Sequence, residues 1–162
     1  MPDSLLTPAE RALLEALNDL SVRYLVVGMS AALLQGARGA TEDIDLWFER
    51  INDPRLDLAA RRAGGFWMTG FGMRPPGFAG EALGDRFDVV THMDGLGSFA
   101  EEYAQATPMA VDDIVMHVLP LDRIIASKRA TARPKDLAQL PALEEAQTVA
   151  RESTLHRDNG SR

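Results

Sequence analysis

Asp43 and Asp45 stand two residues apart in the stretch TEDIDLWFE (residues 41–49), interleaved with Ile44, Leu46 and Phe48. Apolar residues at every second position describe one buried face of a strand, and i, i+2 spacing sends both carboxylates to the opposite face. Strands are poor in Asp, and like charges on one face repel. Their Cβ atoms would lie roughly 6.5–7 Å apart, within reach of one hard cation or of two cations spaced about 3.5–4 Å. Mg²⁺ or Mn²⁺ is the natural occupant. Asp88 lies between Phe87 and Val89 in a second strand-like run, DRFDVV (residues 85–90), and would join the cluster if the two strands are close. Asp85 and Asp94 compete with it for that place. The plain reading of Asp43 and Asp45 is a solvated strand face.

Upstream of the pair, the apolar run RYLVV (residues 23–27) ends in Gly28, followed by Met29, Ser30 and Ala31. Glycine allows a tight turn and close backbone approach, and free N–H groups at a helix start attract an anion. Ser30 adds a hydroxyl, although a turn and a helix cap would also use these residue types. A phosphate held at Gly28, Met29 and Ser30, bridged by metal to Asp43 and Asp45, would form a phosphoryl-transfer centre. Downstream, Arg123, Lys128, Arg129, Arg133 and Lys135 make the one strongly basic segment.

These groups need a scaffold. Thr7-Pro8-Ala9-Glu10 is a capping box with Pro at the first helical position, and the spacing of Leu13, Leu14, Leu17 and Leu20 predicts a helix over about 8–20. A strand over 23–27, a short helix SAALLQ stopped by Gly36, the strand DIDLWF and a helix from Asp53-Pro54 to about Gly64 follow. The stretch GFGMRPPGFAGEALG (residues 70–84) reads as a mobile loop. After DRFDVV come a helix over about 98–105, a hairpin in MAVDDIVMHVL turning at Asp112-Asp113, and a helix from Pro120. A last helix begins at Pro134 and is kinked or interrupted at Pro141, and a polar tail from about Arg151 reads as disordered. The expected fold is α/β or α+β, a small mixed β-sheet flanked by helices, in one domain over 1–150 with a tail over 151–162. Trp47, Phe48, Phe66 and Trp67 sit in strand-like runs and are expected in the core.

Composition narrows the function. A chain of 162 residues with 46% apolar residues can bury a core of its own. With no cysteine, disulfides, thiolate catalysis and cysteine-based zinc sites are excluded. A formal net charge of −7 argues against nonspecific coating of nucleic acid, which needs a basic face. No run reaches the roughly 18 apolar residues of a membrane span, and MPDSLLTPAE lacks the charge and apolar pattern of a secretory leader, so a cytoplasmic location is expected. His92, His117 and His156 share no metal-ligand spacing.

The stretch VVGMSAALLQGARGATEDIDLWFE (residues 26–49) resembles the core of the DNA polymerase beta-like nucleotidyltransferases: an apolar strand, a glycine turn, about a dozen residues, then Asp-x-Asp. Gly36, Arg38 and Thr41-x-Asp43-x-Asp45 are most similar to the small bacterial branch that includes toxin–antitoxin nucleotidyltransferases. The segment VLPLDRIIASKRATARPKDLAQLPAL (residues 118–143) resembles that branch's closing block, with its Lys and Arg-x-Lys-Asp. The resemblance spans roughly residues 23–145. It implies a metal site at Asp43, Asp45 and Asp88, with Asp88 helping to activate the attacking hydroxyl, and Lys128 facing the triphosphate. The implied reaction transfers a nucleoside monophosphate from an NTP to a hydroxyl of a protein, an RNA end or a small molecule, and a cognate partner protein is expected of a toxin–antitoxin component. Met29 departs from the family's usual Gly or Ser. It opens the alternative of a catalytically degenerate member that binds a nucleotide or a partner protein.

Overall fold

A computed structural model describes residues 4–160. In chain order the elements are α1 (Pro8–Asp19), β1 (Tyr24–Val27), α2 (Gly28–Leu34), β2 (Ile44–Phe48), α3 (Arg55–Arg62), β3 (Phe66–Met68), β4 (Gly77–Ala79), β5 (Phe87–Val90), α4 (Phe99–Tyr103), β6 (Thr107–Val111), β7 (Ile114–Val118), α5 (Leu121–Thr131) and α6 (Pro134–Asn159). Five strands form a mixed sheet in the order β5-β2-β1-β7-β6, and β3 and β4 form a separate antiparallel ribbon. β1 runs antiparallel to β2 and parallel to β7, while β2 and β5 are parallel. The expected mixed sheet flanked by helices is the observed architecture.

Local chemistry explains most of the elements. The Thr7 hydroxyl accepts from Glu10 N–H at 3.2 Å and the Glu10 carboxylate accepts from Thr7 N–H at 2.9 Å, closing the capping box of α1. Leu13, Leu14 and Leu17 from that helix are fully buried, as is β1 along its whole length. The β6–β7 hairpin turns at Asp112 and Asp113, whose φ values of 47° and 70° are those of a two-residue turn matched to strand twist. Trp47, Phe48, Trp67, Phe78 and Phe87 are buried, and four edge-to-face contacts with centroids 4.9–5.9 Å apart link Phe48, Trp67, Phe78 and Phe87.

Four expectations are corrected. Phe66 is 44% exposed, because alternation along the short strand β3 turns Trp67 inward and its neighbours out. The Gly/Pro-rich stretch 70–84 contains β4, which pairs with β3 through backbone hydrogen bonds that need no apolar run. Of the kink or interruption expected at Pro141, the interruption does not occur: the helix runs 26 residues through it, since surrounding helical bonds and the packing of Leu143 and Ala146 offset one missing N–H. Residues 151–159, expected in a disordered tail, continue α6 as an exposed helix, propagated from the packed turns before it. The last two residues of that tail lie outside the described residues. No helix among the described residues is long and apolar enough to cross a membrane.

Candidate active site

At the end of β1 the chain turns through Gly28, with φ +61°, directly into α2. This position has no room for a side chain: a Cβ here would lie 2.7 Å from Asp45 Oδ2. Glycine is therefore required twice, for the left-handed backbone and for the carboxylate packed over it. Val27 and Asp45 are register partners on β1 and β2. The buried Ser30 hydroxyl sits between their backbones, donating to Val27 C=O at 2.8 Å and accepting from Asp45 N–H at 3.0 Å, with Asp45 Oδ2 at 3.2 Å. Ser30, expected to meet a phosphate, also holds Asp45 in place. That role was hidden in sequence because it depends on a contact across fifteen residues.

Asp45 and Asp88 are register partners on the parallel strands β2 and β5, so their side chains leave the same side of the sheet. Asp43, just before β2, belongs to the same face by alternation. None of the three has a cationic side-chain partner among the described residues. Burial of its carboxyl, then the charge of Asp88 and more weakly that of Asp43, push Asp45 up to about 6, against the opposing hydrogen bonds of Ser30. Three oxygen-only ligands on neighbouring strands suit a hard divalent cation such as Mg²⁺ or Mn²⁺. Among the described residues no three His, Asp or Glu side chains are already gathered into a ligand cage. Asp88 is exposed, and exposed side chains change rotamer in picoseconds to nanoseconds, so its carboxylate is free to reorient.

Asp43, Asp45 and Asp88 line a cleft of about 1010 Å³. Gly28 and Met29 line it beside them, and Met29 also packs on the core, its Cε close enough to Gly39 that a Cβ there would meet it at 3.2 Å. Asp94, one alternative third acid, lines the rim and pairs with His92 at 3.1 Å, whereas Asp85 is not among the cleft residues. Lys128, Arg133 and Lys135 also line the cleft. Lys128 Nζ lies 3.2 Å from Asp136 Oδ1. Gln139 Oε1, on the same wall, is buried without a hydrogen-bond partner. Sequence reasoning singled out neither Asp136 nor Gln139 for the cleft; the Arg133-Pro134-Lys135-Asp136 run was the available signal for the first.

The mixed sheet, with paired carboxylates beside a glycine turn, has among its solved counterparts two structures of the antibiotic-resistance factor ANT(2'')-Ia. The solution structure matches with a TM-score of 0.56 at 15% identity, over 95% of this chain and 96% of that chain. The crystal structure of ANT(2'')-Ia in complex with adenylyl-2''-tobramycin matches with a TM-score of 0.54 at 17% identity, over 91% of this chain and 95% of that chain. Identities this low show the fold alone. No family model and no curated protein sequence matches the chain.

Proposed function

We propose that this chain is a divalent-metal-dependent nucleotidyltransferase that moves a nucleoside monophosphate from an NTP to a hydroxyl of a small-molecule acceptor. The carrying observation is the Asp45–Asp88 register, set beside the Gly28 turn in a cleft whose lining also includes Lys128, Arg133 and Lys135. The cleft reaches the upper end of the roughly 300–1,000 Å³ range of small-molecule sites, room for a nucleotide and an acceptor together. The small-molecule choice is supported by the fold neighbour whose complex contains adenylyl-2''-tobramycin.

A divalent cation, when bound by Asp43, Asp45 and Asp88, supplies positive charge to the phosphates and lowers the pKa of an oxygen bound to it. The acceptor oxygen forms a bond to the α-phosphorus, and the bond from that phosphorus to the α,β-bridging oxygen breaks. Pyrophosphate departs with the electron pair, and the acceptor proton passes to Asp88. Gly28 and Met29 border the phosphates, Ser30 acts through Asp45, and Lys128 meets the terminal phosphates as a point charge.

Incubation with each α-labelled NTP and Mg²⁺, against hydroxyl-rich small molecules, RNA and lysate protein, tests this reading. Label on a small molecule supports it. Label confined to protein or RNA would overturn the small-molecule acceptor and favour a toxin–antitoxin component. The position of Met29 in the cleft favours one second reading, a degenerate protein that binds nucleotide without chemistry, for which no acceptor is ever labelled.

A further inference from the structure

Asp136 is completely buried, 0% exposed, yet every hydrogen bond it accepts from another side chain comes from a residue that lines the cleft. Its Oδ1 accepts from Lys128 Nζ at 3.2 Å and from an Arg133 terminal nitrogen at 3.2 Å. Its Oδ2 accepts from Arg133 Nε at 2.7 Å and from Arg133 N–H at 3.2 Å. The Arg133 guanidinium, and after it Lys128, hold the Asp136 carboxyl well below the usual carboxylate range. A buried carboxylate is tolerable when donors surround it, and these donors come from two helices: Lys128 from the last turn of α5, Arg133 from the cap of α6. The left-handed Ala132, with φ +50°, reverses the chain between them.

Donor capacity remains after Asp136 is satisfied. An ammonium has three N–H groups and a guanidinium five. Lys128 gives one bond to Asp136 and the Arg133 side chain gives two, which leaves each of them N–H groups for a ligand. The Lys128 side chain is only 15% exposed, so its long stem is already ordered before anything binds. Pre-ordering removes an entropy loss that a free lysine would suffer on meeting a phosphate. Two cations and one anion leave this trio with one net positive charge, and the exposed Lys135 adds another at the same wall.

We propose that Asp136 is a positioning residue that locks Lys128 and Arg133 into a cationic wall for a polyphosphate, receiving the β- and γ-phosphates of the nucleotide and then the leaving pyrophosphate. The inference rests on the transferase reading for its reaction, but the wall itself is a binding property. A purely structural bolt between α5 and α6 would explain the burial of Asp136 without giving it any influence on ligand affinity.

Calorimetry with inorganic pyrophosphate and Mg²⁺, at fixed ionic strength, separates the two. Lys128→Ala and Asp136→Asn are each expected to weaken pyrophosphate about tenfold or more, the range for hydrogen bonds to charged groups. The double variant should lose little beyond the larger single loss, because both changes remove the same arrangement. Unchanged pyrophosphate affinity in folded Asp136→Asn, or losses that multiply in the double variant, would overturn the proposal. Should Asp136→Asn not fold, Arg133→Gln, at a largely exposed side chain, serves in its place: weaker pyrophosphate binding is expected, and unchanged affinity would overturn the proposal. A wild-type protein that binds pyrophosphate through this wall but labels no acceptor would refute the transferase reading and leave the wall standing.

Discussion

Asp45 and Asp88 are register partners across the parallel pairing of β2 and β5, two carboxylates to which no cationic side chain among the described residues is paired. A protein gains nothing in stability from such a pair. Such clusters of perturbed carboxylates gather at functional sites, and here Gly28 makes room for the Asp45 carboxylate while Ser30 fixes its backbone.

The repulsion has a measurable pH signature. Folded Asp45 holds its proton up to about pH 6, against an ordinary value of 3.8, so the folded state binds more protons than the unfolded chain between these limits. Stability from this group is therefore full below about pH 4 and declines as the pH rises to about 6, by roughly 1–3 kcal/mol after allowance for solvent screening. Asp45→Asn should melt higher than wild type at pH 8, with the gap closing at pH 4. A variant that melts lower at pH 8 would contradict the electrostatic origin.

A divalent ion should relieve the same strain. Saturating Mn²⁺ at about 100 times its dissociation constant would add roughly 2.7 kcal/mol to folding, and Asp45→Asn should abolish most of that gain. Thermal melts in Mn²⁺ and in EDTA, matched for ionic strength, provide the comparison. Equal melting temperatures in wild type would count against a competent metal site.

Gly28→Ala should be disproportionately damaging for so small a change. The left-handed backbone costs a non-glycine residue about 1–2 kcal/mol, and the new methyl must also displace the Asp45 carboxylate. A lower melting point together with weakened Mn²⁺ binding is expected. Unaltered metal affinity would separate the turn from the acid.

Ser30→Ala should leave both Asp45 N–H and Val27 C=O without the hydroxyl that now bridges them, at a cost of about 1–3 kcal/mol. Ser30→Thr, which restores the hydroxyl, should recover part of the loss. If denaturant unfolding finds the alanine variant as stable as wild type, the bridge is not a structural element.

What could be read from sequence was whatever local pattern encodes. Alternation exposed β2 and β5 and so paired Asp43 with Asp45, the Thr7-to-Glu10 box marked the start of α1, and two consecutive Asp residues marked the hairpin turn. β4 escaped because three residues joined by backbone bonds leave no periodic trace among glycines and prolines. The helix from Pro134 was legible, but its unbroken length was not, because Pro141 is a strong local signal that tertiary packing overrides. The working roles of Ser30 and Asp136 depend on residues brought together by the fold: Ser30 on Asp45, Asp136 on Lys128.

Transfer of α-label by wild type and by Asp45→Asn, side by side with Mg²⁺ and an accepting small molecule, tests the proposed chemistry most directly. Asp45→Asn removes a carboxylate needed to hold the cation while leaving the shape of the side chain almost unchanged. The expected result is labelled acceptor and released pyrophosphate with wild type, and a loss of at least about a hundredfold in rate with a variant that is folded by its melting curve. Labelling by Asp45→Asn at the wild-type rate, or no labelled acceptor with wild type for any of the nucleotides, would contradict it.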